Sequence, residues 1–207
     1  MKGAVDIDGR ALLPVRVKHP VIGAETALEV WEEATLGSGL PSEHGDAVVE
    51  ITPMPTFEGN LTTPAGRFAV VAAKFNKEIV DKLIAGALDT LKRLGVADDA
   101  IDLVWVPGSF ELPLIAQRLA ASKKYVAVIC LGAVIKGDTD HYEYVCRGAT
   151  DGILQAGLAT GVPVLFGVLT CQTEEQAIDR AGGKEGNKGA DVALAAIEMV
   201  NLLKQLP

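Results

Sequence analysis

The chain has 207 residues, of which 49% are hydrophobic and 22% are charged, and its formal net charge is -8. This composition predicts a soluble globular protein with room for one domain and a substantial core. The acidic balance argues against a surface for nucleic-acid phosphates or anionic membranes, because nonspecific attraction to either requires excess lysine and arginine. No apolar run approaches the roughly 20 residues that span a bilayer, and the N-terminus lacks the pattern of a targeting segment. We therefore expect a cytoplasmic protein that binds neither nucleic acid nor membrane.

Residues 1–56 differ in character from the rest of the chain. Their segments "GSGLPSEHGD" and "ITPMPTFEGN" are dense in glycine, proline and charge, which is typical of loops or linkers. "AETALEVWEEATL" predicts a short helix and "AVVEI" a strand, while His19 and His44 are interpreted as ordinary surface residues. We find no motif that carries chemistry there. We therefore divide the chain into an N-terminal extension of unknown role, residues 1–56, and a domain of residues 57–207.

From residue 67 onward, short apolar runs alternate with segments of helical periodicity. Strands are predicted at "RFAVVAA", "AIDLVWVPG", "YVAVICLGAVI" and "VPVLFGVLT". Helices are predicted at "NKEIVDKLIAGALDTLKRLG", "SFELPLIAQRLAASKK", "YEYVCRGATDGILQAGLATG", "TEEQAIDRAGG" and "KGADVALAAIEMVNLLKQL". This alternation builds right-handed βαβ units. The predicted fold class is α/β, a three-layer αβα sandwich with a four-stranded parallel sheet and helices on both faces.

The three cysteines, Cys130, Cys146 and Cys171, are dispersed and share no CxxC spacing. They indicate neither a disulfide framework nor a zinc site. Free cysteine commonly behaves as a small hydrophobic residue. We expect all three to be buried or half-buried.

The carboxyl ends of the four predicted strands carry the candidate functional residues. Open α/β sheets bind ligands at this edge, and here the strand ends read "AAKFN", "VPGSFELP", "GAVIKGDTDH" and "GVLTCQTEEQ". Phe75, Phe110 and Phe166 fall at or close to strand ends, where an aromatic ring can stack on a planar ligand, although core packing is the alternative for each. Four such loops at one edge predict a binding site.

The loop "KGDTDH" predicts an anion-binding corner. Gly137 frees the backbone, Thr139 supplies a hydroxyl, and the next helix offers its N-terminal amides. Asp138 and Asp140 are alternatively plain helix caps. Histidine titrates near neutrality, so His141 could move a proton between substrate atoms, and a capping or surface histidine is the alternative.

The segment "DRAGGKEGNKG" predicts a flexible basic loop. Arg180, Lys184 and Lys188 lie among four glycines and suit a phosphate or another small anion, although a solvated connection between helices is the alternative. The glycine spacing does not follow a strand, and no GxxxxGK[ST] loop occurs. Neither NAD nor ATP is implied.

Six motifs, in unbroken order, resemble those of the 6,7-dimethyl-8-ribityllumazine synthase family of riboflavin biosynthesis. They are "FN" after the first strand, "VPGSFELP", "GAVIKGDTDHYEYV", "FGVLT", "EQAIDRAGGKEGNKG" and "AAIEM". The resemblance covers about residues 57–207 and implies a flavodoxin-like fold. It also implies a transferase that condenses 5-amino-6-(D-ribitylamino)uracil with 3,4-dihydroxy-2-butanone 4-phosphate, giving the lumazine, phosphate and water. No metal or organic cofactor is implied.

The resemblance implies a role for each matching position. His141 matches the proton-transfer residue and, with Arg180 and Lys188, makes up the expected catalytic set. Phe166, Arg180 and Lys188 match residues that a neighbouring subunit contributes. Contacts to the pyrimidine and the ribityl chain are implied for Phe75, Asn76, Ser109, Phe110, Glu111, Ala133, Val134, Ile135 and Phe166. Contacts to the phosphate are implied for Lys136, Gly137, Asp138, Thr139 and Arg180.

Three further expectations concern residues around the phosphate loop. Many relatives carry alanine or glycine at the position of Asp138, and a carboxylate beside a phosphate is electrostatically unfavourable. We expect the Asp138 amide to bind while its side chain turns away and caps the following helix. Tyr142, Tyr144 and Cys146 are expected to pack along that helix.

The resemblance also implies a homo-oligomer with sites between neighbouring subunits, as a pentamer or a 60-subunit icosahedral shell, with riboflavin synthase as a candidate partner. Two other classes of function stay open. A flavodoxin-like protein that only holds a lumazine or flavin would not need His141 together with Arg180. A structural shell protein would need interfaces and no turnover. The complete set of phosphate and proton residues favours the enzyme.

Overall fold

The computed structural model describes residues 54–207. The helix and strand predicted at residues 24–36 and 47–51, together with His19 and His44, lie outside the described residues. Residues Phe57–Pro207 form one compact unit. No helix between residues 54 and 207 combines the length and the apolarity that a bilayer crossing requires.

The four predicted strands form one parallel sheet in the order β2-β1-β3-β4. Their apolar runs are strand-like because both faces of the sheet are covered, so a continuous apolar sequence is required in place of alternation. In β1, six of the seven residues are buried. The strands are β1 (Arg67–Ala73), β2 (Ile101–Val106), β3 (Tyr125–Ile135) and β4 (Val164–Cys171).

Five helices cover the sheet, and successive strand residues point alternately to its two faces. The helices are α1 (Lys77–Arg93), α2 (Leu112–Ala121), α3 (His141–Thr160), α4 (Glu174–Arg180) and α5 (Lys188–Leu203). On one face, Ile129 packs in a core with residues of α1 and α5. On the other, Val128 packs with residues of α2 and α3. The predicted three-layer, flavodoxin-like α/β fold is confirmed.

The prediction was wrong at two helix boundaries. A 3-10 turn at Ser109–Glu111 precedes α2, where one continuous helix was expected. The segment predicted as a flexible basic loop is an antiparallel hairpin of β5 (Ala181–Gly183) and β6 (Gly186–Asn187). Gly182 and Gly186 have φ of 117° and 74°, a conformation that glycine adopts without steric cost. The glycines therefore close a hairpin here.

The amino edge of the sheet is held by a polar cluster. The Asp102 carboxylate accepts hydrogen bonds from Arg67 Nη2 and from the Tyr125 hydroxyl, each at 2.7 Å, and so joins the starts of β2, β1 and β3. These bonds, first from Arg67 and then from Tyr125, lower the pKa of Asp102. The hydrogen bond to Asp102, together with burial, raises the pKa of Tyr125.

An extended segment, residues 57–63, is fastened to the C-terminal half of α5. Asn201 is nearly buried, and its Nδ2 donates to the carbonyls of Asn60 at 2.9 Å and Thr62 at 2.7 Å. Gln205 Nε2 donates to the Glu58 carbonyl at 2.7 Å. These side chains fix the path by which the chain enters β1.

The cysteines behave as predicted. Cys130 and Cys171 are buried, Cys146 is half-buried, and all three are free. Burial raises the pKa of each thiol, that of Cys130 to about 12. All three therefore stay protonated at neutral pH and serve as packing groups.

Candidate active site

A cavity of about 690 Å³ opens at the carboxyl edge of the sheet, where β1, β2 and β3 end and α3 begins. This is the edge that the strand-end motifs indicated, and most of the predicted residues meet there. The predicted residues that line it are Phe75, Ser109, Phe110, Glu111, Ala133, Val134, Ile135, Gly137, Thr139 and His141.

The loop after β1 presents an aromatic ring on a fixed backbone. The Phe75 amide donates to the Pro107 carbonyl at 3.1 Å, which ties this loop to the next, while the side chain is 70% exposed. Asn76 adopts a left-handed conformation, with φ of 56°, and its Nδ2 donates to the Ala133 carbonyl at 2.9 Å. The ring can therefore receive a flat ligand, whereas the Asn76 side chain holds β3 and does not line the cavity.

The loop after β2 forms a second wall. Glu111 Oε2 accepts the Gly108 amide at 2.8 Å, so this carboxylate bonds the start of its own 3-10 turn. A carboxylate has several acceptor positions, and this bond leaves Glu111 able to accept another from a ligand. Ser109 is buried against Gly132, and the Phe110 ring lies against Gly148 of α3.

The loop after β3 leads into the first turn of α3. Gly137, Thr139 and His141 line the cavity. The first amides of a 20-residue helix have no intrahelical partner and carry partial positive charge, which suits an anion. The capping expectation for Asp138 is wrong: Asp140 occupies the N-cap position, and it makes no side-chain capping bond either.

Tyr142 and Tyr144 also line the cavity, and the expectation that they serve as packing residues is wrong for Tyr144, which is 72% exposed. Burial, with a contribution from the neighbouring Cys146, raises the pKa of Tyr142. The signal that could have found both tyrosines is their place within one helical turn of the anion-binding corner.

Six of the predicted site residues do not line the cavity. Phe166 is the third residue of β4, in its first half, and is 38% exposed. At the end of α4, Arg180 Nη1 donates to the Gln176 carbonyl at 3.1 Å. Lys188 starts α5, and its Nζ lies 2.7 Å from Asp191 Oδ2. The remaining three are Asn76, Lys136 and Asp138.

A cavity with exposed aromatic rings and a helix N-terminus, at the carboxyl edge of an open parallel sheet, defines a small-molecule site of the flavodoxin-like class. Within the described range 54–207, no group of three or more His, Cys, Asp or Glu side chains is arranged to hold a metal ion. Residues 65–204, well over half of the chain, match the sequence model of the 6,7-dimethyl-8-ribityllumazine synthase family. The chain belongs to this family, which confirms the resemblance and makes it an enzyme of the transferase class.

Proposed function

We propose that the protein condenses 5-amino-6-(D-ribitylamino)uracil with 3,4-dihydroxy-2-butanone 4-phosphate to give 6,7-dimethyl-8-(D-ribityl)lumazine, phosphate and water. The observation that carries the proposal is one cavity lined by an exposed ring at Phe75, an anion-binding corner at Gly137–Thr139, and a histidine at His141. The exposed ring can stack on a planar heterocycle, the corner can bind a phosphate, and the histidine can transfer a proton.

The pyrimidine stacks on the Phe75 ring and lies along the end of β3. Residues 133–135 then offer backbone groups to its polar edge, since β3 extends to Ile135 and its last residues line the cavity. Ser109 and Glu111 hold the ribityl chain through hydroxyl and carboxylate. The apolar lining excludes water, which strengthens these polar contacts.

The phosphate of the second substrate binds at the start of α3. Gly137 and Thr139 supply amides and a hydroxyl, and the helix N-terminus favours the negative charge. Arg180 of a neighbouring subunit pairs with the phosphate in bidentate fashion, and Lys188 adds a second positive charge. Because Lys188 bonds Asp191 within its own helix, the incoming phosphate competes with that carboxylate.

The chemistry requires few catalytic side chains. The 5-amino group attacks the ketone carbonyl, and a first water leaves as the imine forms. Elimination of the phosphate leaves an enol that tautomerises to a new ketone. The ribitylamino nitrogen attacks this ketone, and a second water leaves as the new ring closes. His141 moves the protons that these steps gain and lose. Holding two reactants in register can lower the barrier by roughly 7 to 11 kcal/mol.

The position of the remaining predicted residues supports sites shared between subunits. Phe166, Arg180 and Lys188 lie outside the cavity lining, as expected if each chain lends them to its neighbour. A contact between two different surfaces of the same chain forms a ring when the rotation between neighbours closes. We propose a pentamer, alone or within a 60-subunit shell, with riboflavin synthase as a candidate partner.

The test is to mix the purified protein with both substrates and to follow lumazine absorbance and phosphate release together. The proposal predicts one phosphate per lumazine. Lumazine binding without turnover would support the binding-protein class instead, and a particle with neither activity would support the structural class. A protein lacking residues 1–56 should retain the activity if that segment is an appendage to the catalytic domain.

A further inference from the structure

The β5–β6 hairpin connects the two basic residues that the proposed mechanism lends to a neighbour. Arg180 ends α4 immediately before the hairpin, and Lys188 begins α5 immediately after it. The hairpin itself is short and contains three glycines. A segment of this kind needs an external anchor to place two charged side chains reproducibly, because glycine restricts the backbone least.

Asn187, the last residue of the hairpin, provides such an anchor. Its Oδ1 accepts the amides of Gly189 at 2.9 Å and Ala190 at 3.2 Å, which caps α5. Its Nδ2 donates to the Lys82 carbonyl of α1 at 2.8 Å. Only a side chain that donates and accepts at once can make both sets of bonds, and a primary amide does so.

The two helices are shaped to receive this amide. A Cβ at Gly86 of α1 would lie 2.5 Å from Asn187 Nδ2, closer than any ordinary contact. A Cβ at Gly189 of α5 would strike the Leu83 carbonyl of α1. Glycine at both positions lets α1 and α5 approach closely with the Asn187 side chain seated between them.

We infer that Asn187 is a positioning residue for phosphate binding: it fastens the hairpin to α1 and thereby sets where Arg180 and Lys188 stand. This inference rests on the proposed function, because it assumes that those two side chains bind the substrate phosphate. The partner of Asn187 is the Lys82 carbonyl of α1, the helix that starts at Lys77, just after Phe75. Asn187 therefore links the hairpin, whose flanking basic residues serve the neighbouring subunit, to α1, which follows the cavity residue Phe75 in the same chain.

The cap and the tie can be separated by substitution. Asn187→Asp and Asn187→Ser both keep an oxygen that caps α5, since aspartate and serine are good N-cap residues. Aspartate has no donor for the Lys82 carbonyl, and the serine hydroxyl is one bond shorter than the amide arm, so it does not reach from α5 to α1. Gly86→Ala displaces the same amide from the other side, with no change in the hairpin.

The experiment measures KM for each substrate separately, together with the thermal midpoint. All three variants should raise KM for the butanone phosphate by about tenfold, the worth of one lost hydrogen bond of this type, while KM for the pyrimidine stays near the wild-type value. An unchanged KM for the butanone phosphate in folded variants overturns the inference. So does a parallel rise in both KM values that follows the loss of stability.

Asn201→Ser is the matched control, because Asn201 lies on the same helix and also donates from Nδ2 to backbone carbonyls. It should lower the thermal midpoint and leave both KM values unchanged. If the wild-type protein forms no lumazine, the proposed function and the inference fail together. A wild-type enzyme whose Asn187 variants show no selective KM change removes the inference alone.

Discussion

The two edges of the sheet differ in whether their polar and aromatic side chains bond one another or stay exposed. At the amino edge, Arg67, Asp102 and Tyr125 satisfy one another across three strands. At the carboxyl edge, Phe75 and Tyr144 are 70% and 72% exposed and line a cavity. At the amino edge these side chains bond one strand to another, whereas at the carboxyl edge they remain available to contact a ligand.

Because of this difference, we expect residues at the amino edge to contribute to stability and residues at the carboxyl edge to contribute to function. The exposed side chains at the carboxyl edge, Phe75 and Tyr144, bury little area within the chain, so removing them costs little folding free energy. Side chains at the amino edge bond one another and hold the strand starts together. Substitutions at the carboxyl edge should therefore alter kinetics alone, and substitutions at the amino edge should alter stability alone.

The largest effect is expected at Arg180. Arg180→Ala should raise KM for the butanone phosphate by about 100-fold, the upper range for a lost charge-assisted hydrogen bond, with little change for the pyrimidine or in the thermal midpoint. Lys184→Ala is the control, since Lys184 belongs to the same segment but pairs weakly with Asp179 at 3.7 Å. Equal effects on the two substrates would exclude a phosphate role for Arg180.

A smaller effect is expected at Phe75. Phe75→Ala should raise KM for the pyrimidine by about tenfold, because stacking of a base on an aromatic ring contributes roughly 1 to 3 kcal/mol. The midpoint of unfolding should stay unchanged, since the ring is largely exposed. Phe75→Tyr should restore the affinity. A loss of stability in step with affinity would show that the ring is a packing residue.

His141→Ala should lower kcat by less than the roughly 100-fold typical of general acid–base catalysis, because both reactants still meet in the cavity. The dependence of the rate on pH should also change, because a proton carrier has been removed. His141→Gln, which keeps hydrogen bonding without a proton to transfer, should behave in the same way. A pH profile identical to that of the wild type would rule out proton transfer by His141.

The smallest effect is expected at the amino edge. Tyr125→Phe should lower the free energy of unfolding by less than about 1 kcal/mol, because the bond to Asp102 is partly solvent-screened, and should leave both KM values unchanged. Chemical denaturation and kinetics measured on the same preparation would check this. A change in either KM value would contradict the claim that substitutions at the amino edge affect stability alone.

This amino-edge contribution should depend on pH in a defined direction. Asp102 has a lowered pKa in the folded state, so its contribution is present above about pH 4 and is lost as the pH falls further. Tyr125 has a raised pKa, so its contribution is present below about pH 10 and is lost as the pH rises further. The difference between wild type and Tyr125→Phe should therefore be largest between these limits. A difference that does not vary with pH would contradict the assignment.

The sequence predicted the sheet and the cavity because both follow from local patterns. A strand buried on both faces must be apolar throughout, and parallel strands end at one edge, so β3 and the loop carrying His141 could be placed together. The exposure of Tyr144 could not be predicted, since it depends on which elements pack around the first turn of α3 in the folded chain. Nor could the β5–β6 hairpin, because glycine permits a flexible loop and a tight turn alike. The role of Asn187 depends on a contact 105 residues away in the chain.

The central claim is that each site combines one chain's cavity with a neighbour's basic residues, and complementation tests it most directly. One double variant, Phe75→Ala/His141→Ala, has a defective cavity but intact basic residues. The other, Arg180→Ala/Lys188→Ala, has an intact cavity but lacks the basic residues that serve its neighbour. When the two variants are co-expressed in equal amounts, neighbours in a closed ring pair at random. About a quarter of the sites should then combine an intact cavity with intact basic residues from the neighbouring chain. The account predicts that lumazine formation recovers to about that fraction of the wild-type rate. Activity no higher than the sum of the separate variants would contradict it.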